Sequence, residues 1–118
     1  MGSGGWQRGL GLIACAVLVS SAVTAQPAPP DARTVQLFQL VCAQCHARPG
    51  IGVPLIGDAA AWRPRAARGD ERLLESTVAG LGGMPPLGSC SFCSERELRD
   101  LIALLAGLPT ETPAEPAP

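Results

Sequence analysis

Cys42-Ala43-Gln44-Cys45-His46 restricts this chain more than any other run of residues. Two thiols one helical turn apart, followed at once by an imidazole, form the C-x-x-C-H pattern of covalent c-type haem attachment. The thiols add across the porphyrin vinyl groups, and the histidine binds the iron from one side. Composition points the same way. Beyond residue 25 the only aromatics are Phe38, Trp62 and Phe92, and tyrosine is absent throughout. A chain this small and this poor in large apolar side chains has little core of its own. A buried porphyrin would supply the missing apolar mass.

The 118 residues predict one domain with short flanking segments. Residues 1–25 read as a secretory signal: Arg8 supplies the positive charge, Leu10 to Val23 is apolar, and Val23-Thr24-Ala25 fits a small-x-small cleavage site. The apolar stretch is short of the roughly 20 residues that a membrane-spanning helix needs. Membrane association is therefore expected only if this segment stays uncleaved. Residues 26–30 form a Pro/Ala linker, 31–108 the folded domain, and 109–118 a Pro/Glu/Ala tail with the composition of a disordered segment.

The domain reads as all-α, with three to four short helices and no strand pattern. Asp31 is placed to cap a helix running to about Cys42, with Val35, Phe38 and Val41 on one face and Leu37 beside them. Residues 48–58 are loop. Asp58 is expected to cap a short helix from Ala59 to Trp62 that stops before Pro64. A third helix starts with Asp70 as its cap and runs through Val78, closed by Gly80, with Leu73, Leu74 and Val78 sharing a face. Ser94 and Glu97 form a capping box for the last helix, which carries Leu98, Ile102 and Leu105 and stops at Gly107.

Beyond residue 25 His46 and Met84 are the only histidine and methionine, so they are the two candidate axial ligands. Met84 lies 38 residues after His46, between Gly82-Gly83 and Pro85-Pro86, in a loop able to fold across the other porphyrin face. His/Met ligation raises a haem potential relative to harder ligand sets, and it leaves no open iron position for substrate. A carbonyl near Pro54 is a candidate acceptor for the His46 Nδ1 proton. Trp62, Arg63 and, less directly, Arg65 are candidates for holding the haem propionates through an indole donor and guanidinium forks.

Cys90-Ser91-Phe92-Cys93 is a second C-x-x-C without a following histidine, so it is not a second haem site. Two readings stand side by side. One is a local disulfide pinning the Met84 loop to the last helix. The other is a four-cysteine zinc site shared with Cys42 and Cys45, for which the 44-residue gap between the pairs is long. An oxidising compartment favours the disulfide.

The residues from Phe38 to Leu105 resemble the cytochrome c5 family. The resemblance is carried by the haem pentapeptide, Gly52-Val53-Pro54, Gly57-Asp58, Trp62-x-x-Arg65, Gly80, Met84-Pro85-Pro86, Gly88, and Cys90 with Cys93-Ser94 ahead of Glu97-Leu98. It implies a class I cytochrome c fold with crossed N- and C-terminal helices around one haem c attached through Cys42 and Cys45. It further implies His46 and Met84 as axial ligands and a Cys90–Cys93 disulfide. The implied role is a non-enzymatic electron carrier of the bacterial periplasm or its membrane. Departures are Leu104 where the family has an aromatic, Phe38 where it often has tyrosine, and the complete absence of lysine.

Without lysine, docking through a lysine ring is not expected, and transient redox partners would meet an apolar patch at the haem edge rimmed by arginine. The nine arginines are offset by ten acidic residues, which argues against a nucleic-acid-binding face. A haem subunit docked permanently on an oxidoreductase is the alternative role, and a structural zinc module the remote one. A haem enzyme would need an open iron site with an acid/base residue beside it, and no second histidine is present to serve.

Overall fold

The computed structural model describes residues 1–4 and 28–109. Apart from residues 1–4 and Pro109, the expected export signal and the C-terminal tail fall outside them. The described chain is helical: α1 (Ala32–Leu37), a π-helical stretch (Phe38–Cys42), α2 (Ala43–His46), α3 (Ala59–Ala66), α4 (Asp70–Ala79), a 3₁₀ turn (Pro86–Ser89) and α5 (Glu95–Ala106). The first three run without a break. They make one helical body ending at the histidine, so the helix expected to stop near Cys42 carries on through the whole pentapeptide. Among the described residues the only β pairing is an isolated bridge between Leu81 and Met84.

The first body starts at Asp31, whose carboxylate accepts from the Thr34 amide and from its hydroxyl. Its buried stripe is not the expected Val35, Phe38 and Val41. Thr34 and Leu37 are buried, Phe38 and Val41 pack partly against the core, and Val35 is exposed. The 3.6-residue period sets the stripe through Thr34, Leu37, Phe38 and Val41, and the extra residue of the π turn adds Cys42 to it. Leu37 meets Leu74, Leu98 and Leu101 around the fully buried Cys90. A second cluster joins Trp62 to Leu105 and Ala106, with Leu73 and Leu108 packed against it. α5 supplies both clusters, which makes it the spine of the domain.

Two helix ends differ from expectation. α3 passes through Pro64 to Ala66. The bond lost is the one that the Ala60 carbonyl would have accepted, and Ala60 is exposed, so water replaces it. Asp70 is not the cap of α4. Gly69 holds that position at φ +96°, and Asp70 and Glu71 lie in the first turn, where their charge suits the positive end of the helix. Val78 is exposed, leaving Leu74 as the buried residue of that helix. The expected capping box is present: the Glu97 amide donates to Ser94 Oγ at 3.3 Å and the Ser94 amide to Glu97 Oε2 at 2.8 Å.

Glu97 also accepts from the Arg33 guanidinium at 2.5 Å, which ties α1 to α5. The Ser94 amide first, then Arg33, hold the Glu97 carboxyl below its ordinary value of 4.5. The Thr34 amide does the same for Asp31, whose ordinary value is 3.8. Both carboxylates are favoured by the fold, so their contribution is complete above those ordinary values and fades as pH falls through the lower folded ones. We expect thermal stability to drop below about pH 4.5, and Glu97→Gln to flatten that drop, measured as melting temperature against pH. An unchanged slope in Glu97→Gln would remove Glu97 from the acid response.

Candidate haem-binding site

A cavity of about 260 Å³ opens between four segments of the chain. The first helical body contributes Cys42, Cys45 and His46, and the following loop contributes Ile51 and Val53. The segment after α4 adds Met84, Pro85 and Leu87, and α5 forms the floor with Leu98, Leu101, Ile102 and Leu105. Among the described residues no Asp, Glu, Lys or Arg lines it. Such walls suit a flat apolar macrocycle and give a low local dielectric.

Cys42 and Cys45 are free thiols, the first half-buried and the second exposed. Burial pushes the Cys42 thiol up to about 11, so it stays protonated at neutral pH. A buried neutral thiol beside an exposed one, both on the cavity wall, fits addition to two vinyl groups at the cavity's edge.

His46 is buried at 7% exposure, and its Nδ1 lies 2.6 Å from the Pro54 carbonyl oxygen. A carbonyl only accepts, so Nδ1 carries the proton and donates. Nε2 is thereby left with its lone pair, the form that coordinates iron. The loop that delivers this carbonyl is anchored three more times. The Ile56 amide donates to the His46 carbonyl at 3.1 Å, the Gly57 amide to Leu105 at 2.8 Å, and the Trp62 indole N–H to the Leu55 carbonyl at 2.6 Å.

That last bond changes the expectation for Trp62. Its single donor is used by Leu55, so it does not point a free N–H at a propionate. The ring is 6% exposed and lies 6.1 Å from the imidazole, tilted by 40°. Trp62 buttresses the histidine and its loop. Arg63 is exposed on α3, and Arg65 donates to the Ala61 carbonyl one turn back; neither lines the cavity. The sequence pattern gave no hint of the Leu55 acceptor, since a loop carbonyl has no residue signature.

Met84 is half-buried on the opposite segment. Its amide and carbonyl exchange hydrogen bonds with Leu81 at 3.0 and 3.1 Å, forming a tight turn. Beyond it, Cys90 and Cys93 are joined in a disulfide. The four-cysteine zinc arrangement is thereby ruled out, because two of its thiols are consumed. No group of three or more His, Cys, Asp or Glu able to hold a metal ion occurs among the described residues. Among those residues no helix is long and apolar enough to cross a membrane.

Residues 29–105 match a family model described as cytochrome C oxidase, cbb3-type, subunit III. The chain is 42% identical over 69 residues to a cytochrome c5 of Ectopseudomonas mendocina, covering 57% of this chain and 79% of that protein. Identity is again 42% over 69 residues to a cytochrome c5 of Azotobacter vinelandii, covering 57% and 83%. A cytochrome c-555 of Chlorobaculum tepidum is 31% identical over 100 residues, covering 81% and 90%. Among solved structures, a chain in the crystal structure of an electron transfer complex of nitrite reductase with cytochrome c superposes with a TM-score of 0.60. It is 33% identical and is covered to 96%, against 67% of this chain. The all-helical fold, the haem pentapeptide on the cavity wall and these relatives agree: this chain belongs to the cytochrome c family, among the cytochromes c5, and is a c-type cytochrome that carries covalently attached haem c and transfers electrons.

Proposed function

We propose that this protein is a monohaem electron carrier of the periplasm, with haem attached through Cys42 and Cys45 and its iron held by His46 and Met84. The observation that carries this reading is the Nδ1–Pro54 hydrogen bond together with Met84 on the facing wall. The bond supports an Nε2 free to bind iron, and Met84 brings a thioether to the same cavity, whose two thiols are taken up in haem attachment. Haem held by His46 and Met84 together would supply one-electron transfer and would leave its iron no site for substrate. The protein then acts as a carrier without catalysis of its own. Export rests on residues 1–25, which have the pattern of a signal peptide.

Each group has a separate task. The two thiols would fix the haem in the cavity and His46 would hold its iron, while the Pro54 carbonyl orients the imidazole and raises its basicity. The apolar walls exclude water, which keeps the reorganisation on electron transfer small. Redox partners meet the protein transiently, through the small contacts usual for such encounters. The relative solved beside nitrite reductase supports this kind of partner.

The test is a visible spectrum of protein made in a host with c-type haem maturation, taken oxidised and reduced. A sharp reduced α band and a weak far-red ferric band are expected, and Met84→Ala should abolish the far-red band. The same variant should lower the potential by on the order of 100 mV or more, because a soft sulfur ligand favours ferrous iron. A far-red band surviving in Met84→Ala would exclude Met84 as the ligand. Spheroplast fractionation checks the compartment, and retention of the haem protein in the cytoplasm would refute export.

A further inference from the structure

The segment after Met84 contains three successive residues in the left-handed region: Leu87 (φ 59°, ψ 14°), Gly88 (φ 57°, ψ 29°) and Ser89 (φ 70°). Gly88 adopts this freely. A branched leucine does so only when its surroundings impose it. Among the described residues Leu87 and Ser89 are the only non-glycine residues with positive φ. Both fall within five residues of Met84, and nothing in the turn's length requires a leucine there.

Three features hold the turn. The Gly88 amide donates to the Pro85 carbonyl at 3.0 Å, and the Cys90 amide donates to the Leu87 carbonyl at 2.9 Å. Cys90, fully buried, is locked to Cys93 just before α5. The Leu87 side chain packs on the Leu74, Leu98 and Leu101 cluster while also lining the cavity beside Met84. Gly88 lies under the methionine: a Cβ there would come within 3.4 Å of the Met84 methyl. The strained turn therefore puts a leucine in the same cavity wall as the thioether and a glycine against its methyl.

From this we propose that Leu87 is a positioning residue for the sulfur ligand. Its side chain blocks the path by which Met84 would swing away and an outside donor would take its place at the iron. The strained turn is what delivers that side chain to the cavity. The proposal rests on the reading of Met84 as the sixth ligand. It predicts that the lability of the ligand and the stability of the fold respond to different substitutions.

The experiment uses the ferric holoprotein, with imidazole as the competing ligand, titrated by the shift of the Soret band. Guanidinium unfolding is measured in parallel on Leu87→Gly, Leu87→Ala and Ser89→Gly. Leu87→Gly relieves the strain and removes the side chain, so imidazole should bind at least tenfold more tightly with a smaller loss of unfolding midpoint than Leu87→Ala shows. Leu87→Ala should loosen the ligand similarly but lower the midpoint, because the strain remains. Ser89→Gly relieves strain without removing the leucine, so its imidazole affinity should stay within twofold while the midpoint rises. Imidazole affinity within twofold of the parent in Leu87→Gly overturns the proposal, as does affinity that simply tracks the midpoint across the three variants. If the parent itself lacks the far-red ferric band, the Met84 reading fails and this proposal falls with it. If the band is present and Leu87→Gly is silent, only the role of Leu87 is refuted.

Discussion

Gly80→Ala should unseat Met84 and cost more stability than the same change at any other described glycine. Gly80 closes α4 at φ 79°, ψ 156°, a conformation essentially confined to glycine. A Cβ built there lies 2.7 Å from the Met84 carbonyl oxygen and 2.9 Å from the Pro86 nitrogen. Both are backbone atoms, so no side chain can rotate away to relieve the overlap. Either α4 unwinds at its end or the Leu81–Met84 turn moves. Strained backbone alone costs about 1–3 kcal/mol, and the displaced turn adds to it. The variant should show a lower guanidinium midpoint and a weakened far-red ferric band. Gly50→Ala is the control: φ is +83° there too, but no atom lies within 4 Å of the added methyl. Its unfolding free energy should fall by only the backbone strain, about 1–2 kcal/mol, and its ferric spectrum should not change. Equal losses in the two variants would show that contact with the Met84 segment is not what matters.

Trp62→Ala should be the most damaging truncation on the histidine side. The indole is buried against Leu105 and Ala106, with Phe38 and Leu73 partly buried beside it. Removing a buried tryptophan costs about 3–5 kcal/mol, a large share of the 5–15 kcal/mol typical of a whole domain. Beyond the cavity, the Leu55 carbonyl loses its donor. That carbonyl is adjacent to the Pro54 carbonyl, which orients His46. Trp62→Phe separates the two effects, since it keeps a ring in the cluster but cannot donate. We expect Trp62→Phe to cost about 1–3 kcal/mol, set by the unpaired carbonyl, and to shift the reduction potential. Trp62→Ala should leave little holoprotein stable to guanidinium. A Trp62→Phe protein with the parent's potential would show that the Leu55 bond does not reach the iron ligand.

Much of the fold is legible in the residues themselves. Caps and stops have local chemical signatures, which is why Asp31, Asp58, Ser94 with Glu97, Gly80 and Gly107 all mark helix ends where expected. The departures are equally physical. Pro64 was expected to end α3, but a proline forfeits one hydrogen bond whose acceptor here is exposed. Asp70 was expected as a cap but lies one residue inside, because Gly69 takes the turn. Spacing of i, i+3, i+6 puts Val35 on the core face, but the 3.6-residue period runs the buried stripe through Thr34, Leu37, Phe38 and Val41 and leaves Val35 at its edge.

What residue identity alone determined is the inventory of chemistry: two thiols beside one imidazole, a single methionine in a Gly/Pro-rich segment, and a second cysteine pair with no histidine after it. These are discrete and rare in the chain, so their roles are constrained by counting. Only the tertiary structure decided how they are held. It paired the Trp62 indole with the Leu55 carbonyl and drew Leu87 into a left-handed turn beside Met84. Each of these depends on a backbone carbonyl or a backbone dihedral. Every residue carries those in the same chemical form, so their partners are selected by packing and leave no mark in the sequence.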